Sequence, residues 1–251
     1  RMKRASEKLS NYTPSPYQHY VEWKRWGLNR PFGTCSEFES RYFAAELDRI
    51  PSAKISKVLE IGFGDGAFLA YGKTLSWMMT GIEVIPDLVQ LAQDSGYQAI
   101  SSEQTADLLA NSFDLVVAFD VLEHIPQDDL PNLLSLIFQK LRPGGLFIAR
   151  FPNGDSPLGL PFQYGDMTHV TVIGSGKLRY LAQQAKMNVV LCGAQARVIR
   201  TGYWRHTVHF AFSAVVIWIL ERVVKFIVTP HLRITLFSGN LVAILQTPEA
   251  V

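Results

Sequence analysis

Short apolar runs alternate with helical stretches along most of the chain from residue 57 onward. Runs rich in Val, Ile and Phe, bounded by Gly, Pro or polar residues, are typical of buried strands. They predict five strands, at 57–61, 78–84, 97–101, 113–119 and 145–151. Helices are predicted between them, near 66–76, 86–95, 103–110 and 128–141. This alternation indicates a doubly wound α/β fold, with a parallel sheet covered on both faces.

The alternation becomes less regular after residue 151. Residues 152–171 form a long stretch rich in Pro and Gly, and loops of that length inside a domain are usually functional. A helix is predicted at 175–186, then a strand near 188–199 and a last strand at 240–247. With the five earlier strands, these complete a seven-stranded, Rossmann-like, mostly parallel sheet.

An aromatic and apolar segment, residues 203–237, lies between the last two predicted strands. Its longest stretch without Asp, Glu, Lys or Arg, 206–220, is too short to cross a bilayer about 30 Å thick as a helix. Trp204 and Trp218, with Arg and Lys nearby, suit the headgroup zone of a membrane. Three interpretations stay open: a helical pair packed on the domain or on a second copy, an interfacial membrane helix, or a transmembrane span.

The composition is that of a globular protein. A chain of 251 residues with 48% hydrophobic and 18% charged residues can bury a substantial core. The two cysteines, Cys35 and Cys192, have neither metal-ligand spacing nor a disulfide framework, which indicates a reducing compartment. The first twenty residues lack the apolar run of a signal peptide. We therefore expect a cytoplasmic location, with peripheral attachment to the inner face of the plasma membrane as the alternative.

The net charge of +2 conceals an asymmetry along the chain. Residues 1–30 carry seven Lys and Arg against two Glu, and residues 194–233 carry six against one Glu. The middle, 31–193, has 11 basic and 18 acidic residues. Basic flanks suggest contact with something anionic, such as nucleic acid, a membrane surface or a charged glycolipid. We interpret 1–40 as a basic N-terminal extension and cap, and 41–251 as one domain that carries the insert.

A glycine-rich turn follows the first predicted strand, in the segment VLEIGFGDGAFL (58–69). Two ligand-binding patterns share its glycines. The dinucleotide fingerprint G-x-G-x-x-G/A is met by Gly62, Gly64 and Ala67. A G-x-G-x-G loop is formed by Gly62, Gly64 and Gly66. The two patterns predict different ligands, so the neighbouring charges have to discriminate between them.

Carboxylates around this turn favour a cationic ligand. Glu60 and Asp65 would lie beside the pyrophosphate of a dinucleotide, and two like charges about 4 Å apart cost roughly 4 kcal/mol at an effective dielectric near 20. S-adenosylmethionine (SAM) has a sulfonium and an ammonium group and no phosphate, so the same carboxylates would help it. Glu83 ends the second strand, where a carboxylate can accept both ribose hydroxyls. Asp120 stands at the carboxyl end of the fourth strand, next to the crevice where open sheets bind ligands.

Four segments in this order and spacing, VLEIGFGDG, GIEV, FDLVVAFDVLEHI and LRPGGLF, resemble those of class I SAM-dependent methyltransferases. The resemblance covers about residues 40–190. It implies that the methionine and ribose end of the cofactor is lined by Glu60, Gly62, Gly64 and Gly66. It also implies that Glu83 binds the ribose diol and that Asp120 lies near the cofactor's amino-acid end. Ser102 and Glu103 take the place of an acidic residue that the family often has near the adenine.

Candidate catalytic residues lie in the sequence YGDMTHVT of the long loop. Asp166 and His169 are three residues apart, just past the fifth strand and over the crevice. A histidine can take a hydroxyl proton near neutral pH, and a nearby carboxylate can orient it. The same residues could instead only order the loop. His124, in the phrase LEHI, is a further candidate, although it and Glu123 could both be structural hydrogen-bonding residues.

The acceptor is predicted from a second resemblance. The passage FPNGDSPLGLPFQYGDMTHV is similar to one that follows the fifth strand in sugar-modifying methyltransferases of bacterial surface polysaccharides. This implies methyl transfer to a sugar hydroxyl of a polysaccharide or glycolipid by in-line displacement, for which alignment supplies much of the acceleration. O- or C-methylation of a small lipophilic molecule, such as a quinone or phenolic, is the alternative, with 203–237 as its entrance.

The sequence also bears on whether the chain binds a membrane, a second copy of itself, nucleic acid or a metal ion. An anionic membrane surface could bind through 203–237, and a homo-oligomer stays open. The chain has no N-P-P-Y-type motif after the fourth strand, so nucleic acid is not expected. It also lacks the carboxylate and histidine spacing of metal-dependent O-methyltransferases, so no metal is predicted. A non-catalytic, methyltransferase-like scaffold in a membrane-associated assembly is the alternative outside enzymes.

Overall fold

A seven-stranded sheet forms the centre of the protein. The computed structural model describes residues 20–24, 26, 30–51, 54–198, 204–228, 231 and 234–249. The strands are β1 (Lys57–Ile61), β2 (Met78–Glu83), β3 (Gln98–Ser101), β4 (Phe113–Phe119), β5 (Leu141–Pro152), β6 (Asn188–Ala194) and β7 (Asn240–Gln246). Their order across the sheet is β3-β2-β1-β4-β5-β7-β6. The first five strands pair in parallel, and β7 runs antiparallel to both β5 and β6. The predicted α/β, Rossmann-like fold is confirmed.

Helices cover both faces of this sheet. The α-helices of the described residues are α1 (Tyr20–Lys24), α2 (Glu37–Leu47), α3 (Ala67–Thr74), α4 (Pro86–Asp94), α5 (Leu130–Lys140), α6 (Leu160–Tyr164), α7 (Ser175–Gln184) and α8 (Trp204–Val228). Those predicted near 66–76, 86–95, 128–141 and 175–186 are present as α3, α4, α5 and α7.

Three predicted elements have different bounds in the structure. The helix predicted at 103–110 is a 3₁₀ helix, Ser102–Asp107, in which Thr105 is the one buried residue. An isolated polar segment has no apolar stripe to pack, so it does not extend into an α-helix. The strand predicted near 188–199 ends at Ala194, and β5 begins at Leu141, which pairs with Phe113 of β4.

Central strands and flanking aromatic side chains supply the core. Six of the seven residues of β4 are buried, as expected for a strand that is covered on both faces. On one face, Phe43 of α2 stacks on Phe119 with ring centroids 5.6 Å apart, and it meets Phe68 of α3 edge to face. Burying one such side chain contributes about 1.5–3 kcal/mol. Helix α2 is thereby held against the carboxyl end of β4, where the candidate site begins.

The strand order creates a crevice at the carboxyl ends of β1 and β4. These neighbouring strands lie at the point where the order reverses, because β2 and β3 extend to one side and β5 to the other. Open α/β sheets bind ligands at such a switch point. The glycine turn, Glu83, Ser102, Asp120 and the long loop all follow strand ends at this edge.

The described part of the insert 203–237 contains one helix, α8, of 25 residues. Its described side chains include eight large apolar ones that are exposed in the middle and last turns: Phe212, Val215, Trp218, Ile219, Leu220, Val223, Phe226 and Ile227. Single exposed apolar residues are ordinary, but a continuous set marks an interaction surface. Among the described residues, no helix combines the length and the apolarity that a bilayer crossing requires.

Candidate active site

Three neighbouring cavities, which share lining residues, open at the carboxyl edge of the sheet. The inner cavity, of about 240 Å³, is lined among others by Gly62, Glu83, Ser102, Thr105, Asp120 and His124. The glycine-loop cavity, of about 290 Å³, is lined among others by Arg30, Glu60, Gly64, Asp65, Asp120 and Arg150. The outer cleft, of about 960 Å³, is lined among others by Lys24, Asp120, Glu123, Arg150, Asp166 and His169. Asp120 therefore borders all three.

The glycine turn requires a backbone that other residues rarely adopt. Gly62, Gly64 and Gly66 have φ angles of +69°, +52° and +77°. At Gly62 an added Cβ would also lie 2.6 Å from a methyl carbon of Val121. Gly66 precedes α3 as its N-cap, whereas Gly62 and Gly64 face the cavities. At this turn the inner cavity is therefore bordered by the backbone of Gly62, which has no side chain to keep a ligand away.

Glu83 presents a buried carboxylate to the inner cavity. It is only 6% exposed, and it accepts hydrogen bonds from the backbone N–H groups of Gly64, Val84 and Ile85 at 3.1, 2.7 and 3.3 Å. Burial raises the pKa of Glu83, against the opposing effect of these three donors. The carboxylate is thus held in one orientation and keeps further acceptor capacity for a ligand.

The two carboxylates of the glycine segment differ in environment. Glu60 is buried, and its Oε2 has no hydrogen-bond partner among the described residues. Burial, and then the charges of Asp65 and Glu83, raise the pKa of Glu60 well above its usual range. Asp65 forms an ion pair with Arg30, with 2.6 Å between Oδ2 and Nη2. The turn is therefore less negative than the sequence predicts, because one of its carboxylates has a cationic partner.

Asp120 is fixed by a partner that the sequence analysis did not find. Its φ of +57° is unusual for a residue other than glycine. Arg150 of β5 donates to both carboxylate oxygens, with 2.8 Å between Nε and Oδ1. The guanidinium also lies 5.0 Å from the ring centroid of Tyr42 and 5.4 Å from that of Phe119. The feature of the sequence that could have indicated this partner is the arginine inside an otherwise apolar strand, in LFIARF.

Asp166 of the long loop is buried and ionised. It accepts hydrogen bonds from the backbone N–H and hydroxyl of Thr168, at 2.9 and 2.6 Å, and pairs with Lys24 of α1 at 3.1 Å. Burial raises the pKa of Asp166, but the bonds from Thr168 and Lys24 outweigh this effect and lower it to about 2. A group with so low a pKa orients its neighbours and is a poor base near neutral pH.

His169 lies against two carboxylates in the outer cleft. Its Nδ1 is 3.2 Å from the carbonyl oxygen of Gln163. Its Nε2 is 3.6 Å from Asp166 Oδ2 and 3.9 Å from Glu123 Oε1. Since a carbonyl can only accept, Nδ1 carries the proton, and in the neutral ring Nε2 has the lone pair. His169 therefore presents a proton-accepting nitrogen beside the cleft.

His124 packs beside His169, with ring centroids 4.6 Å apart. Its Nδ1 contacts the carbonyl and hydroxyl oxygens of Thr168, at 3.2 and 3.0 Å. Burial, and then the charge of His169, lower the pKa of His124. The structure thus brings together all three residues predicted as catalytic, and it adds Glu123 to the group.

Comparison with known proteins defines the family. A methyltransferase domain family matches residues 22–191. The chain belongs to this family. The predictions that the chain is a methyltransferase and that SAM is its cofactor are therefore confirmed. The resemblance to enzymes of polysaccharide modification is not confirmed by these comparisons.

Curated relatives of this methyltransferase include several proteins named ubiquinone biosynthesis O-methyltransferase. The protein of Xanthomonas axonopodis pv. citri (strain 306) is 30% identical over 156 residues, which cover 57% of this chain and 63% of the relative. That of Xanthomonas oryzae pv. oryzae (strain PXO99A) is 29% identical over 136 residues, covering 51% and 54%. The matched regions thus span less than two thirds of these relatives.

Solved structures agree in fold. A SAM-dependent methyltransferase from Archaeoglobus fulgidus matches with a TM-score of 0.60 and 18% identity, over 83% of this chain and 92% of that one. A SAM-dependent methyltransferase from Thermotoga maritima, described as a possible histamine N-methyltransferase, matches with a TM-score of 0.57 and 16% identity, over 93% and 98%. At such identities the likeness establishes the fold alone.

The cavities of the methyltransferase fit the parts of SAM. The inner cavity has mostly apolar walls and is also lined by the carboxylate of Glu83, which suits a nucleoside with a ribose diol. Glu60 lines the glycine-loop cavity and has an oxygen without a hydrogen-bond partner among the described residues, for which an ammonium group could supply the donor. Ser102 lines the inner cavity, together with Thr105, whereas Glu103 is exposed and does not line it.

The described part of residues 1–40 covers this site. Tyr20 and Trp26 line the inner cavity, and Lys24 lines the outer cleft. The Tyr20 ring also meets His124 edge to face, with centroids 5.9 Å apart. The sequence did not indicate that these three residues lie at the site, because they come more than thirty residues before the glycine turn along the chain.

Proposed function

We propose that this methyltransferase transfers the methyl group of SAM to a hydroxyl of an acceptor that binds in the outer cleft. The observation that carries the proposal is the position of His169, which lines the cleft and has its Nε2 beside Asp166 and Glu123. Asp120 borders both this cleft and the two cavities that fit SAM. A proton acceptor and a cofactor site are therefore neighbours.

Each end of the cofactor has its own residues in this proposal. Glu83 accepts hydrogen bonds from the ribose hydroxyls, Glu60 binds the ammonium group, and Gly62 lets the ligand approach the backbone. Asp120, held by Arg150, lies at the junction with the cleft. When bound, SAM supplies an electrophilic methyl group on a sulfonium. The chain itself contributes alignment and exclusion of water, which supply much of the acceleration in a displacement of this kind.

His169 is the proposed base. Its proton on Nδ1 is held by the Gln163 carbonyl, so Nε2 can accept the proton of the acceptor hydroxyl. The imidazolium that forms lies beside the carboxylates of Asp166 and Glu123, which stabilise it. His124 fixes the neighbouring loop through Thr168 and acts as a positioning residue.

We infer a lipophilic acceptor, such as a quinol or another phenol. Two observations support this choice. The curated relatives are named for ubiquinone biosynthesis, and the cleft is lined by Phe162 of α6 and Ile217 of α8, next to the exposed apolar face of α8. A sugar hydroxyl of a glycolipid is the second candidate, because the cleft is large and also carries Lys24, Arg150 and Arg197.

We also propose that α8 lies on an anionic membrane surface from which such an acceptor enters. Its outward side chains are apolar, and Arg222 stacks on Trp218 at 4.5 Å, as suits the headgroup zone. Glu221, the only acidic residue in the helix, instead accepts from the backbone of Leu236 and pairs with Lys225. The exposed face thus presents no negative charge to repel anionic lipids.

The acceptor assignment is tested by incubating the full chain with methyl-labelled SAM and three separate acceptor pools. These are catechol-type phenols and quinols, lipid-linked saccharides, and RNA. We expect label in the first pool, lost in His169→Ala and kept in His231→Ala, an exposed histidine outside the site. Label in the saccharide pool alone would select the second candidate. Binding of SAM with no label in any pool would favour the scaffold alternative.

A further inference from the structure

Three potential metal ligands converge at the boundary between the inner cavity and the outer cleft. Glu123, His124 and His169 each place one ligand atom within 4.8 Å of the others. They come from two segments, the turn after β4 and the long loop after β5. The backbone N–H groups of Val170 and Thr171 donate to the Glu123 carbonyl at 2.9 and 3.0 Å, and so fix the two segments together. The convergence is therefore built into the backbone.

The histidines are oriented as metal ligands usually are. In metal sites, the ring nitrogen that does not bind the ion is commonly held by a backbone carbonyl. His169 shows this arrangement, since Nδ1 contacts the Gln163 carbonyl and Nε2 faces the carboxylates. His124 has Nδ1 against the Thr168 carbonyl. With Nδ1 protonated, the Nε2 lone pair of His169 points at carboxylate oxygens, an arrangement that a cation between them would stabilise.

Glu123 makes no direct ion pair with a lysine or an arginine among the described residues, although Arg150 and Lys24 attract it from farther away. Asp166 pairs with Lys24, and Asp120 pairs with Arg150. Glu123 is 1% exposed, and its Oε2 has no hydrogen-bond partner among the described residues. Its only ion-pair contact among them is His169, at 3.9 Å. A buried carboxylate in this state is costly unless a cation or a proton compensates it.

We propose that Glu123, His124 and His169 form a binding site for one divalent transition-metal ion of the Zn²⁺ or Mn²⁺ class. Two imidazoles and one carboxylate suit such ions and leave coordination positions open. Glu123 and His169 line the outer cleft, so an acceptor hydroxyl could take one of these positions. This departs from the sequence-based expectation of no metal, because the spacing along the chain does not show that residues 124 and 169 meet.

An ion here would change how the acceptor is activated. His169 Nε2 would be a ligand rather than the base, and coordination would lower the pKa of the hydroxyl, as it does for metal-bound water. The hydroxyl proton would then pass to water in the open cleft. His169 is required in either case, so loss of turnover in His169→Ala does not distinguish the two roles. Ion binding does, and it can be measured without any acceptor.

The test uses the full chain after removal of metal with a chelator that is then dialysed away. Calorimetric titration with Zn²⁺ and with Mn²⁺ is expected to show one ion per chain for at least one of them. Co²⁺ is expected to give an absorption band of a protein-bound ion. Glu123→Gln and His169→Ala should each weaken binding at least tenfold, the low end for disturbing a metal site. His231→Ala, at an exposed histidine, should bind as the unaltered chain does.

Two results would overturn the inference: no saturable binding of either ion, or equal affinity in the two site variants. Thermal unfolding and SAM binding of Glu123→Gln, which keeps the side-chain size, separate loss of the site from loss of the fold. The inference rests on the cluster and not on the proposed function. Ion binding without methyl transfer would contradict the proposed function and leave this inference standing. Methyl transfer by a chain that binds no ion would contradict this inference and leave the proposed function standing.

Discussion

Arg150 holds Asp120 through a bidentate ion pair at the point where the three cavities meet. The guanidinium lies over the rings of Tyr42 and Phe119, and the backbone N–H of Asp120 donates to the Arg150 carbonyl at 2.8 Å. β4 and β5 are neighbouring parallel strands, so the residues at their carboxyl ends come together. This ion pair holds the side chain of Asp120 in place, at a residue whose backbone has the positive φ that residues other than glycine rarely adopt.

Replacing Arg150 by methionine should weaken SAM binding and lower the free energy of unfolding by about 1.5–3 kcal/mol, the range for losing hydrogen bonds to a charged group. Urea unfolding and calorimetry measure the two effects. Arg142→Met is the matched control, since Arg142 pairs with Asp114 at 2.8 Å, away from all three cavities. It should leave SAM affinity unchanged. Unaltered SAM affinity in Arg150→Met would show that the ion pair is structural only.

Glu83→Ala should weaken SAM binding by at least about 1 kcal/mol, roughly fivefold in the dissociation constant, because a charged hydrogen-bond partner is lost. Calorimetry with the full chain measures this. Glu103→Ala provides the comparison, since Glu103 is exposed and does not line the inner cavity. If both variants bound SAM as the unaltered chain does, the ribose role of Glu83 would be wrong.

SAM affinity should fall as the pH is lowered from neutrality toward the raised pKa of Glu83. Burial raises that pKa, and the ribose hydroxyls need the ionised form, so affinity is lost as the carboxyl gains a proton. The raised pKa of Glu83 affects the folding stability of the free chain in the opposite direction to its effect on SAM affinity. A raised folded-state pKa stabilises the free chain below the unfolded-state pKa, and this effect is lost as pH rises through the folded value. The affinity change should be smaller in Glu83→Ala, and an equal change would assign it to other groups.

His169→Ala should lower turnover at least about 100-fold, the low end for general-base catalysis, while SAM affinity stays nearly unchanged. Single-turnover kinetics with labelled SAM, at saturating acceptor, isolate this step. His231→Ala should retain full turnover. An active His169→Ala enzyme would exclude His169 both as base and as an essential ligand.

Exchanging Phe212 and Phe226 for serine should release the chain from anionic vesicles, because both side chains are exposed on the outer face of α8, at 69% and 82%. Co-sedimentation with anionic and with neutral vesicles measures the effect, and SAM binding should persist. Leu109→Ser alters another exposed apolar residue, 74% exposed, and should not affect sedimentation. A change in oligomeric state of the double variant, with vesicle binding intact, would instead favour an interface between copies of the chain.

The carboxylates around the glycine turn predict the correct cofactor, although the turn carries less negative charge in the structure than the sequence indicates. The sequence places Glu60 and Asp65 beside the turn, and both were assigned a charge. Asp65 in fact pairs with Arg30, and burial raises the pKa of Glu60 well above its usual range. Arg30 lies 35 residues before Asp65 along the chain, so local sequence could not show the compensation.

The sequence by itself determined the α/β architecture, the glycine turn and the family, because each depends on residues within one short segment: apolar runs that form strands, and glycines that accept a positive φ. Only the tertiary structure decided which side chains meet. Glu123 and His169, or Asp120 and Arg150, come together because parallel strands bring the loops that follow them to one edge of the sheet. Their distance in space is set by strand order and packing, which spacing along the chain does not encode.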